Sequence, residues 1–202
     1  MFVLVESGSI TKTLSGNKGI TIGDIQYPQN IFTLWTASEK EAIGIYEVVW
    51  DNTNKKDEAY YNNTNQSFDF ADGVATASYG SATAKALEDA NGTDRDGVEL
   101  DPVVVIEGLK TKHKRIIKQQ ASGLLTPTDW YILKATDVES YSVPSAITTY
   151  RANVRTKSND MEVLIDACST VDELATLYKY VNTGTEENPV MERPLGEFPE
   201  AV

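Results

Sequence analysis

Along the first eighty residues apolar side chains come in short bursts bounded by Gly, Asn, Asp and Pro. "MFVLVE" is one such burst and predicts a strand. "GITIGDIQYP" sets Ile20, Ile22, Ile25 and Tyr27 around Gly23-Asp24, a pair suited to a turn or bulge. "IYEVVWD" predicts another strand. "EAYYNNTNQSFDFADGVATASYG" predicts two or three more, with turns at Asn62–Asn65 and Asp72-Gly73. Tyr60, Phe68, Phe70 and Tyr79 are aromatic residues that suit a sheet face. One short helix interrupts: Ser38 and Glu41 have capping-box spacing, and Gly44 stops the helix after about two turns.

The pattern thins over "SATAKALEDANGTDRDGVELD", which is rich in Ala, Gly, Asp and Thr and poor in large apolar groups. A domain boundary is expected there, with residues 83–101 as an acidic linker. Its acids do not fit a calcium loop. Counting from Asp89, the sixth position is Asp94 where a Gly is needed, and the twelfth is Leu100 where a Glu is needed.

From Asp101 the period becomes helical, with Asp101 as cap and Pro102 in the first turn. Val105 or Ile106, Leu109, His113, Ile116 and Ile117 share one face, and Lys110, Lys112, Lys114, Arg115 and Lys118 take the others. Gly123 is expected to end this helix. A second helix fits Pro144–Ser158, its inward stripe being Val143, Ile147, Tyr150 and Val154. A third starts at Asn159 or Asp160, and a fourth has Thr170 and Glu173 as its capping box. The last 21 residues hold three prolines and five glutamates and read as an extended tail that folds only against a neighbour. The expected class is α+β: a small antiparallel β-rich domain (1–82), the linker (83–101), a compact helical module (102–181) and an extended acidic tail (182–202).

Charge narrows the function. The net charge of −12 argues against a nucleic-acid binder. Residues 1–100 carry 7 basic and 15 acidic side chains (−8), residues 101–125 carry 5 and 2 (+3), and residues 126–202 carry 6 and 13 (−7). The one basic helix therefore sits between acidic blocks, as a solvated face or one docked on an acidic partner surface. No apolar run approaches the ~20 residues of a membrane span, and the N-terminal stretch lacks the basic region of a signal peptide. The single cysteine, Cys168, lies among acids and reads as a buried structural thiol. The single histidine, His113, reads as a packed helix residue. No nucleophile–base pair, Gly-x-Ser-x-Gly elbow or phosphate-binding glycine loop is present, so no catalytic, cofactor-binding or metal-ligating residue is assigned. Tyr46, Trp50, Tyr60 and Tyr61 could form a sugar-binding platform, although such residues more often fill a sheet face.

The densest pattern is "LLTPTDWYIL…TTYRANVR". Pro127 disfavours helix at Thr126, and Thr128 and Asp129 are N-cap types. Trp130 and Leu133 point to one side, expected to be toward the first helix, with Trp130 filling the core. Arg151 and Arg155 lie one turn apart, so one of them can pair with Asp129.

Leu124, Leu125, Thr128, Asp129, Trp130, Tyr150, Arg151 and Arg155 carry a resemblance. Over about residues 105–180 the chain resembles the phage tail assembly chaperone protein family, whose pattern is a basic helix, a Leu-Leu-x-x-Thr-Asp-Trp turn and a Tyr-Arg-x-x-x-Arg helix. A weaker likeness to phage tail proteins covers about residues 25–50, "IQYPQNIFTLWTASEKEAIGIYEVV". The chain departs from the pattern in having "ATDVESYSVP" before Tyr150 and no closing Trp-Pro. The resemblance implies a non-enzymatic part of a bacteriophage tail, made in the host cytoplasm and resident in the virion. Its implied partners are tail, fibre or baseplate proteins or further copies of itself. The alternative it implies, in second place, is an assembly chaperone that binds a fibre or tail subunit and leaves the finished tail.

Overall fold

The computed structural model describes residues 1–64 and 66–202; Asn65, and with it the end of the expected Asn62–Asn65 turn, lies outside the described residues. The fold is α+β, a strand-rich sheet followed by helices, in two compact units, Met1–Ala84 and Lys85–Val202.

The first unit is built on strands β1 (Phe2–Glu6), β2 (Ser9–Leu14), β3 (Ile20–Ile22), β4 (Ile25–Tyr27), β5 (Ile45–Asp51), β6 (Tyr61–Asn62), β7 (Ser67–Ala71), β8 (Val74–Ser78) and β9 (Thr83–Ala84). Its main sheet runs β2-β1-β5-β8-β7. The pairs are antiparallel except at β5–β8, which is parallel, so the sheet is mixed where an antiparallel one was expected. The long connection from β5 back to β8 allows this, since a parallel pair needs a crossover rather than a hairpin. Both outer hairpins close on two-residue turns with positive φ, Ser7-Gly8 (52°, 78°) and Asp72-Gly73 (52°, 78°), whose twist matches the strands.

"FVLV" is unbroken because both faces of β1 are buried. Phe2 and Leu4 join Leu14, Ile20, Ile31, Phe32 and Ile45. Val3 joins Val48, Ala75 and Ala77 on the other face, with Tyr46, Phe68 and Phe70 packed against them. Helix α1 (Ile31–Leu34) puts Ile31 and Phe32 into the first cluster, and Lys40 of helix α2 (Ala37–Glu41) lies over the Phe2 ring at 4.8 Å. The capping box of α2 is Thr36 with Glu39, two residues earlier than the expected Ser38–Glu41 pair. Gly44 ends this segment with φ 81°, and an added Cβ would meet the Val5 carbonyl oxygen. The four aromatics considered for a sugar platform do not make one. Tyr60 and Tyr61 are buried, Tyr46 packs on Phe70, and Trp50 alone is well exposed.

The second unit contains β10 (Ala90–Asn91), β11 (Val105–Ile106), α3 (Leu109–Leu125), a 3-10 turn (Thr126–Thr128), α4 (Asp129–Asp137), α5 (Ser145–Ala167), α6 (Val171–Leu177), β12 (Val181–Asn182) and β13 (Met191–Glu192). Residues 85–101, expected as linker, belong to this unit. β10 pairs with β11, and the acidic loop between them is tied by the Asp94 carboxylate, which accepts from the Asp96 and Val98 amides. The helix expected from Asp101 begins only after Gly108, because Val103–Ile106 is a β-branched run that favours strand. All four of those side chains are exposed. Gly108 is required at the helix start: an added Cβ would strike the Glu88 and Leu87 backbone.

The two helices expected either side of Asn159 are one helix of 23 residues. Ile147, Tyr150, Val154, Ser158, Met161 and Ile165 are buried along one uninterrupted face. With no Gly or Pro to break it, that stripe overrides the capping preference of Asn159 and Asp160. The Thr170–Glu173 capping box opens α6 as expected.

The tail does not extend away. β12 and β13 form a small hairpin, Leu195 is wholly buried, and Phe198 packs on Ala121, Tyr150 and Val154.

Candidate functional site

α3 and α5 run antiparallel, and the basic face of α3 finds its acids within the chain. Lys114 pairs with Asp166 at 2.7 Å and Lys118 with Glu162 at 3.2 Å, both acids being on α5. Lys110 pairs with Glu88 at 2.5 Å and Arg115 with Glu107 at 2.8 Å. The Asp166 contact pushes the Lys114 ammonium above its ordinary value. Much of the positive charge read from the sequence is therefore answered internally.

At the other end of this pair the sequence motif comes together. Helix α3 runs through Gly123 to Leu125, two residues past the expected stop. Thr126 keeps helical dihedrals (−51°, −45°), so Pro127 produces a 3-10 turn and not a reversal of the chain. The carbonyls at such a helix end have no partner within the helix. Tyr150 Oη donates to the Leu124 carbonyl at 3.3 Å. The neighbouring Arg151, buried, points Nη1 at the Leu125 carbonyl (3.0 Å), Thr128 Oγ1 (2.5 Å) and Asp129 Oδ1 (2.8 Å). Thr128 Oγ1 itself donates to the Leu125 carbonyl at 2.7 Å. One guanidinium nitrogen thus ties the end of α3, the turn and the start of α4 to α5. A cation at a helix C-terminus is also favoured by the helix dipole.

Arg155 takes no part in this lock. It is exposed, and its Nη1 reaches the Arg151 carbonyl at 3.4 Å. Trp130 also departs from expectation: it is 50% exposed and Leu133 is 65% exposed. They do share one side, but that side faces solvent. The reason is that Phe198, from the tail, packs together with Leu124 and Leu125 against the cluster of Ala121, Tyr150 and Val154, in the place expected for the tryptophan. Helix α4 has no fully buried residue and turns only Tyr131 and Ala135 partly inward. Trp130 stacks beside Tyr131 with ring centroids 3.9 Å apart, and the Lys134 ammonium lies over the Trp130 and Tyr141 rings at 5.7 and 4.3 Å. Trp130 and Leu133, three apart on one side, therefore form an apolar surface on a short helix whose root is fixed by Arg151.

The roles of Leu195 and Phe198 escaped the sequence reading. Their signal was present as two large apolar residues, three apart, in a proline-rich acidic segment.

Cys168 is buried, and burial, then the nearby Glu173, push its thiol up from the ordinary value. His113 Nδ1 lies 2.8 Å from Tyr178 Oη, and burial holds its imidazole below the usual value. Among the described residues no cluster of three or more His, Cys, Asp or Glu could hold a metal ion, and no helix is long and apolar enough to cross a membrane. Comparison with protein-family models, curated proteins and solved structures finds no match for this chain.

Proposed function

We propose that this protein is a structural component of a bacteriophage tail, associated with fibre or baseplate, which works by docking to other tail proteins. The motif resemblance suggests the setting. The observation that carries a docking role is the exposed Trp130–Leu133 surface on an arginine-fixed root. Large aromatic anchors held on rigid elements are what protein interfaces use for most of their binding energy. Mass spectrometry of purified virions tests the reading. The protein should be present at a stoichiometric level, and its absence would overturn a resident role.

The same surface supports a second reading, a chaperone that covers an apolar patch on a fibre or tail subunit and is then released. The net charge of −12 would keep such a complex in solution. Co-expression should then raise the soluble yield of the subunit, and no change in yield would count against it.

A further inference from the structure

The C-terminal segment Arg193–Glu200 sits on the second unit as a peptide ligand sits on its receptor. Two apolar anchors, Leu195 and Phe198, enter the body of the unit, Phe198 between α3 and α5. The Leu195 amide donates to the Leu177 carbonyl at 3.0 Å, and Tyr180 Oη donates to Glu197 Oε1 at 2.6 Å. Arg193 lies over the Tyr178 and Tyr180 rings at 6.0 and 5.8 Å. Within the segment a turn at Gly196 (φ 75°) and an Arg193–Glu197 ion pair of 2.7 Å set the anchor spacing. Lys157 crowds Gly196 so closely that an added Cβ would strike its ammonium. Every receptor contact comes from residues up to Tyr180. The stretch that leads to the segment, by contrast, holds only a hairpin of two-residue strands whose side chains are exposed. Fully extended, Lys179 to Arg193 spans roughly 50 Å, enough to reach a neighbouring molecule.

We infer that the groove formed by α3, α5 and the C-terminal end of α6 is a recognition site for the Leu195-x-x-Phe198 segment, and that the same segment of a second copy can occupy it. The anchors recognised are this chain's own, the receptor contacts lie on the body side of a weakly fastened connector, and exchange of an identical element between copies needs no new complementarity. The Lys157 ammonium at the rim suits an acidic segment. Each copy has one groove and one segment, so reciprocal exchange closes a twofold dimer and one-way donation joins copies head to tail. The inference stands whether or not the protein belongs to a phage tail.

The test uses the full chain. A protease site inserted between Glu186 and Glu187 is cut after folding. The released fragment should co-elute with the body, and an excess of fluorescent peptide covering residues 187–202 should replace it, read as a rise in anisotropy. The same peptide with Leu195→Ala and Phe198→Ala should bind at least about tenfold more weakly. Loss of the fragment and no peptide binding, with helical circular dichroism retained, would overturn the recognition site. For exchange between copies, an immobilised full chain carrying Leu195→Ala and Phe198→Ala should retain wild-type chain, and the peptide should displace it. The retained chain should bind more weakly than the free peptide, because its own groove competes at an effective concentration on the order of millimolar. If the bait does not fold, the cut wild-type body replaces it. Peptide binding without retention of the full chain up to its solubility limit would overturn occupancy by a second copy.

Discussion

Arg151 Nη1 serves three oxygens of one turn, the Leu125 carbonyl, Thr128 Oγ1 and Asp129 Oδ1, from a buried position. Arg151→Met would leave buried acceptors without a donor, so denaturant unfolding of the second unit should show a loss of about 2–4 kcal/mol. Asp129→Asn should change stability by less than about 1 kcal/mol, because its carboxylate is half exposed and screened. The aromatics should reverse their expected ranking. Phe198→Ala should lower stability by about 1–3 kcal/mol, whereas Trp130→Ala should stay within about 0.5 kcal/mol, as for an exposed site, while weakening any partner that docks there. The sequence showed that an Asp–Arg pair was in reach, because its spacings are local. Which aromatic fills the gap was not legible, since that depends on a segment some seventy residues away whose composition reads as unfolded. His113 adds a pH dependence. Burial lowers its folded value, so the unfolded chain takes up the proton first. Stability should be full above the ordinary imidazole value of about 6.5, fall as pH drops through it, and level off below the folded value. His113→Gln should flatten that part of the profile in melting measurements between pH values either side.

At the scale of elements, α5 carries the second unit. Its buried face runs from Ile147 to Ile165 and its flank holds the acids that meet α3. Asn159 therefore lies mid-helix and exposed. Asn159→Ala should raise stability by about 0.3–0.7 kcal/mol, following helix propensity; were the helix broken there, loss of a cap would lower it by about 1 kcal/mol. Equilibrium unfolding separates the two signs. Elements with strong periodicity were legible, among them the strands around Phe2–Glu6 and Ile45–Asp51 and the capped α6. Boundaries failed where one local signal met a stronger competitor. Pro102 suggested a helix start, but the β-branched run after it forms a strand. Gly123 suggested a stop, but nothing in its surroundings requires a turn there and the helix runs on.

At the scale of the whole chain, the α+β class was legible because composition and period change together near residues 82–101; the two compact units divide between Ala84 and Lys85. Parallel pairing of β5 with β8 was not legible, since strand patterns do not state their neighbours. The basic helix looked like a surface for a partner because charge counted along a sequence does not show which acids fold back onto it. The exposed run Val103–Ile106 has a consequence for handling the protein. A short aliphatic edge strand is an adhesive surface, and Asp101 stands at one end as an electrostatic gatekeeper, while the charge of Glu107 at the other is met by Arg115. Salt that screens this charge weakens the mutual repulsion that keeps such edges apart. Concentrated solutions should then turn turbid, and Val104→Lys should raise the solubility limit under those conditions without shifting the melting temperature. In that sense the colloidal behaviour of the whole molecule is set by four consecutive residues and one charge beside them.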